Sequence, residues 1–174
     1  MTVLPPVTRP LCGFLVIDKP AGCTSHDCVS KARKALGTRK VGHGGTLDPA
    51  VTGVLPLAVG PATRLLPYLD GDKEYFGTIQ LGLRTNSDDL SGDVLKQQPW
   101  PALSPAELNE HLQHFRGLIQ QRPPAVSAVH VDGERAHTRA RRGEQLLLAS
   151  RPVTIEQLDL LHWDPNRGQV EIKL

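Results

Sequence analysis

A secretory signal, an even set of cysteines and a long apolar run are all missing from this 174-residue sequence. The three cysteines, Cys12, Cys23 and Cys28, cannot all pair. That argues against a disulfide framework and for a reducing compartment, the cytoplasm. No segment approaches the roughly 20 apolar residues a membrane helix needs. Charge of one sign is scarce as well: the formal net charge is +2, so a polyanion would have to be held by local clusters of basic residues. Several motifs are absent too. There is no Walker pattern for nucleotide hydrolysis and no Gly-x-Ser-x-Gly elbow to serve a Ser25-His43-Asp48 hydrolase. The Cys23, His26 and Cys28 spacing fits no usual zinc site, and the acidic stretch from Thr85 to Asp93 lacks the spacing and final Glu of an EF-hand.

What is present centres on residues 41–56, a stretch with four glycines and two prolines around His43 and Asp48. Glycine lets a ligand approach the main chain, and Pro49 pushes Asp48 out of the helical region into an extended or turn conformation. The apolar run Val54, Leu55, Leu57, Ala58 and Val59 predicts a buried strand that anchors the loop at its exit. Two readings of Asp48 stand side by side: ordinary Asp-Pro turn chemistry, or a carboxylate displayed for reaction on a rigid support.

Residues 42–49, Gly-His-Gly-Gly-Thr-Leu-Asp-Pro, followed by Thr52-Gly53-Val54-Leu55-Pro56, resemble the signature of the bacterial tRNA pseudouridine synthase B family. Three further segments resemble that family in the same order: Gly13 to Gly22, Asp72-Lys73-Glu74-Tyr75, and Pro123 to Ala128. The resemblance implies an α+β fold with a mixed, largely antiparallel sheet flanked by helices. It also implies isomerisation of the T-loop uridine at position 55 of tRNA to pseudouridine. Asp48 would be the nucleophile, Tyr75 would stack on the flipped base and be the favoured group to take up the C5 proton, and His43 would occupy or support the space the base leaves. The reaction is redox-neutral, so no metal or organic cofactor is implied. The expected partner is the T-arm of tRNA, bound by a monomer, with no membrane involved. A non-catalytic tRNA-binding or tRNA-folding module is the rival reading; it would keep the basic residues and not require Asp48.

Along the chain, residues 1–12 read as a loosely held tail and 13–174 as the catalytic domain; 174 residues suit one domain better than two. Phe14 to Ile17 predicts a buried strand. Lys19 in the following turn is read as a phosphate contact or as a solvated lysine. Thr24 or Ser25 starts a helix with Val29, Ala32, Ala35 and Leu36 on its apolar face and Gly37 as its stop, and Lys31, Arg33, Lys34, Arg39 and Lys40 make the region basic. Residues 62–69 read as a short helix. Alternation from Lys73 to Leu83 predicts a strand with Tyr75 on its core face. Asn86 and Ser87 depart from the family pattern.

Ser104-Pro105-Ala106-Glu107 is a helix start by capping box, with Leu108, Leu112 and Phe115 as the buried stripe and Gly117 as the end. Residues 130–151 are rich in arginine: Arg135, Arg139, Arg141 and Arg142 are candidate RNA contacts, and the family's mobile arm corresponds to this segment, with His137 where many relatives have Tyr. Val153 to His162 reads as a strand with a change of phase and Val170 to Leu174 as a further one. The family continues beyond that point into a Gly-Thr-Tyr-Ile-Arg segment. The expectation is therefore a catalytic domain incomplete at its C-terminal end, and weak or absent activity for these 174 residues alone.

Overall fold

Helix α1 (Ser25–Leu36) begins where the sequence places it, because Thr24 and Asp27 satisfy each other's backbone. In this computed structural model, which describes residues 11–69, 71–123 and 148–174 and the backbone of 130–131 and 134–135, the Asp27 N–H donates to Thr24 Oγ1 at 3.0 Å. The Thr24 N–H donates back to Asp27 Oδ2 at 2.8 Å. Gly37, with φ of 61°, ends the helix. The Thr24 side chain, then its backbone, hold the Asp27 carboxyl below its ordinary pKa. Between the folded and unfolded values the folded chain binds fewer protons. The contribution is complete above the ordinary carboxylate range and is lost as pH falls through the depressed folded value. Acidification from pH 5 is therefore expected to speed amide exchange in the first turn of α1, and Asp27→Asn should remove most of that pH dependence.

The chain divides into two compact units, Met1–Asp72 and Lys73–Leu174. In the first, three antiparallel strands lie in the order β1 (Gly13–Lys19), β3 (Gly53–Val59), β2 (Val41–His43). Strand β3 is paired on both edges, and Leu55, Leu57 and Val59 share one buried cluster with Cys28 and Val29 of α1. Each such aliphatic side chain stabilises by about 1.5–3 kcal/mol on burial. Ala32 joins them, whereas Ala35, expected on the same face, is exposed. Strand β1 forms as predicted but is not buried: Phe14, Leu15 and Val16 are 44%, 40% and 64% exposed. It is an edge strand, and of its apolar run only Ile17 packs against the cluster. The expected helix over residues 62–69 is a 3-10 helix, Gly60–Tyr68; Pro67, inside it, has no N–H to donate.

The second unit holds the sheet β11 (Asp159–Asp164), β12 (Gln169–Lys173), β4 (Phe76–Gln80), and the pair β5 (Leu83–Thr85) with β6 (Val94–Gln97). Strands β7 (Gly117–Gln121) and β10 (Arg151–Ile155) form another pair, as do β8 (His130–Val131) and β9 (Glu134–Arg135). Its core joins Leu108 and Leu112 of helix α2 (Pro105–Gln113) to Leu158, Val170 and Ile172. Ser104 and Glu107 form the predicted capping box; Phe115, expected in the stripe, is exposed, and Gly117 opens β7 instead of ending the helix. The single alternating strand expected over 73–83 is two strands. Leu81 and Gly82 turn between them with Gly82 at φ 77°, where a Cβ would stand 2.4 Å from the Gln98 carbonyl oxygen. The change of phase near His162 is a register shift between Leu160 and His162 within β11, and Val153 and Ile155 belong to the separate strand β10. The chain is an α+β protein, and every strand pairing among the described residues is antiparallel.

Candidate active site

Asp48 lies on the connection between β2 and β3 and is exposed. Its carbonyl accepts the Val51 N–H at 3.0 Å, closing a turn with Pro49 in its second position, where a φ near −65° is wanted. The main chain is tied on both sides of the carboxylate. Before it, the buried Ser25 hydroxyl accepts from the Leu47 N–H at 2.9 Å and donates to the Leu47 carbonyl at 3.2 Å. After it, the Pro49 carbonyl accepts the Gly22 N–H at 2.8 Å. At the loop entry the Gly44 N–H donates to the Pro56 carbonyl at 2.8 Å, and a Cβ on Gly44 would meet Leu69 at 2.6 Å. The backbone is held while the carboxylate stays open to solvent, which suits a nucleophile that must meet a large substrate.

Lys19 corrects both readings made of it. It is 0% exposed, neither solvated nor presented to a phosphate. Its Nζ donates to the carbonyls of Cys23 at 2.8 Å, Pro20 at 2.9 Å and Pro49 at 3.5 Å, so the ammonium ties the β1 turn to the Asp48 turn. Lys19→Met is expected to cost about 1–3 kcal/mol of stability, the penalty for leaving buried acceptors unmade. The salt dependence of RNA binding should stay unchanged, whereas loss of a phosphate contact would lower its slope by about one.

His43 ends β2 opposite Leu57 and is partly buried; its Nδ1 is buried without a hydrogen-bond partner among the described residues. Tyr75 belongs to the second unit. Its N–H donates to the Leu174 carbonyl at 2.7 Å and its carbonyl accepts the Leu174 N–H at 3.0 Å, which continues the β4–β12 ladder by one pair. The residue is 41% exposed, not on the core face that alternation assigned to it, because the ladder fixes the backbone and leaves the side chain outside the cluster. The first unit thus carries Lys19, His43 and Asp48, with Lys19 tied to the Asp48 turn through the Pro49 carbonyl, and the second carries Tyr75. Arg135 lies on β9 with only its backbone described, and Arg139, Arg141 and Arg142 lie outside the described residues. Of the basic residues around α1, Lys31, Lys34, Arg39 and Lys40 are exposed, while Arg33 donates to the Val41 carbonyl at 3.0 Å. Among the described residues no group of three or more His, Cys, Asp or Glu is placed to hold a metal, and no helix is long and apolar enough to cross a membrane.

The model of the family described as "TruB family pseudouridylate synthase (N terminal domain)" matches residues 33–174. The chain belongs to this family. A TruB-family relative, "tRNA pseudouridine synthase B" of Parasynechococcus marenigrum (strain WH8102), is 70% identical over 93% of this chain and 56% of its own length. The chain therefore spans about half the length of the curated TruB relatives it matches. Among solved structures, a Cbf5-Nop10-Gar1 complex is similar at TM-score 0.63 and 30% identity, over 92% of this chain and 38% of that one. An H/ACA RNP bound to a substrate RNA containing 2'-deoxyuridine is similar at TM-score 0.61 and 26% identity, over 92% and 36%. Ser25 holds the loop through Leu47, a role not among those expected of it from the sequence. Its signal was the Thr24-Ser25 doublet: one hydroxyl caps the helix, and the other is free to reach elsewhere.

Proposed function

We propose that residues 13–174 form the nucleophile-bearing part of the catalytic domain of a tRNA pseudouridine synthase. The observation that carries this reading is an exposed Asp48 on a turn tied at Leu47 and Pro49, within the residues 33–174 that the family model matches. The target uridine is taken out of the T-loop stack, at a cost of roughly a few kcal/mol. Asp48 then attacks as carboxylate or assists glycal formation, the N1 glycosidic bond breaks, and the base rotates and rejoins through C5. Tyr75, fixed by its backbone and exposed as a residue, stacks on the extruded base and takes up the C5 proton; His43 fills or supports the vacated space. The exposed Lys31, Lys34, Arg39 and Lys40 and the segment with Arg135, Arg139, Arg141 and Arg142 contact phosphates, in the cytoplasm where tRNA is found.

The test is tritium release from tRNA carrying C5-labelled uridine, using the chain extended to the length of its relatives. Release is expected from one uridine per tRNA, and none from a transcript with cytidine at that T-loop position. Tight binding without release would favour the tRNA-binding module and refute the enzyme.

A further inference from the structure

Cys23 stands immediately before the cap of α1 and Cys28 at its fourth helical position, a pair of sites whose side chains pack across a capping box. Here both side chains are thiols, with Sγ to Sγ at 3.9 Å. Packing alone would be served by any two apolar groups. Two further facts separate this pair from simple packing. Cys23 is partly open to solvent while Cys28 is buried, so a small reagent can reach one sulfur and the second is already beside it. Cys23 also belongs to the strap behind the Asp48 turn: its carbonyl accepts from Lys19 Nζ, and the neighbouring Gly22 N–H donates to the Pro49 carbonyl.

We propose that Cys23 and Cys28 are a reversible redox site, oxidised to an intramolecular disulfide by a low-molecular-weight disulfide such as oxidised glutathione, and that this bond alters the strap holding the Asp48 turn. The Cys23 thiolate attacks one glutathione sulfur, giving a mixed disulfide and releasing a glutathione thiolate, which takes up a proton. Cys28 loses its proton and attacks Cys23 Sγ, forming the protein disulfide and expelling the second glutathione. Two protein thiols are oxidised, one glutathione disulfide is reduced to two thiols, and the protons balance. Burial raises the Cys28 thiol above its ordinary pKa, which assigns the first attack to the more open Cys23 and the resolving step to Cys28. A disulfide has sulfurs about 2.05 Å apart. Cys28 lies inside the core cluster and Cys23 packs against its edge, so closing the 3.9 Å gap is expected to move Cys23 more than Cys28.

The bond itself is independent of what Asp48 does; only an effect on turnover rests on the proposed function. The test uses Cys12→Ser protein, since Cys12 is exposed and reacts on its own. After treatment with oxidised glutathione, alkylation and mass spectrometry, the peptide holding both cysteines is expected unalkylated and lighter by two hydrogens, and dithiothreitol should restore it. Cys28→Ala should stop at a glutathione adduct on Cys23. Amide exchange at Gly22 should quicken on oxidation and recover on reduction. A glutathione adduct persisting on Cys23 with Cys28 present, a dimer linked between chains, or two unreacted thiols would each overturn the proposal. Disulfide formation with unchanged exchange at Gly22 would overturn the coupling to the Asp48 turn.

Discussion

Asp48→Asn in the chain extended to its relatives' length is expected to lower turnover by about 10⁴-fold or more, the scale on which removing a nucleophile acts. Binding of tRNA should change by less than about threefold, as for surface substitutions that disturb no packing. The separation follows from the geometry. The Asp48 carboxylate is exposed, whereas what holds the turn is main chain: the Val51 N–H on the Asp48 carbonyl, Ser25 on Leu47, and Gly22 on Pro49. Asparagine keeps the size of the side chain and leaves those bonds in place, so the turn is retained while the carboxylate proposed to attack is lost. Turnover by tritium release and affinity by filter binding, measured on the same preparation, check the split. Parallel loss of both would mean that Asp48 acts in holding the turn or the RNA.

Leu57→Ala is expected to destabilise the first unit by about 2–5 kcal/mol, the range for truncating a leucine in a packed interior. Leu57 is 0% exposed at the middle of β3, opposite Leu15 on one side and His43 on the other. Its removal opens a cavity between α1 and the one strand that carries both edges of the sheet. Domains are stable by about 5–15 kcal/mol, so the loss is a large share of the total. Val54→Ala, three residues earlier on the same strand, is the control: Val54 is 73% exposed and its truncation should stay within about 0.5 kcal/mol. Both tryptophans, Trp100 and Trp163, lie in the second unit, so denaturation is followed by far-UV circular dichroism. Equal losses at the two positions would contradict this assignment of the core.

The two capping boxes were legible because they are local. Thr24 with Asp27, and Ser104 with Glu107, satisfy backbone groups three residues away whatever packs around them. Strand β1 was legible as a strand and not as an exposed one, because the fate of Phe14 and Val16 depends on what covers an edge, and no apolar run encodes that. Alternation misplaced Tyr75 for a related reason. A turn at Gly82 divides the pattern, and the Tyr75 backbone pairs with Leu174, far away in sequence. At the site, glycines and an Asp-Pro step marked the turn that carries Asp48. The groups that hold it, Ser25 and Lys19, act over 22 and 30 residues; the Thr24-Ser25 doublet was the one local hint of the first, and nothing local marked the second. A lysine buried among carbonyls is the arrangement that residue type least suggests.

The most direct measurement maps pseudouridine nucleotide by nucleotide in tRNA after incubation with the extended chain and with its Asp48→Asn variant at equal concentration. The T-loop uridine should be converted by the first and left as uridine by the second. Conversion to the same extent by the Asn variant would contradict the account.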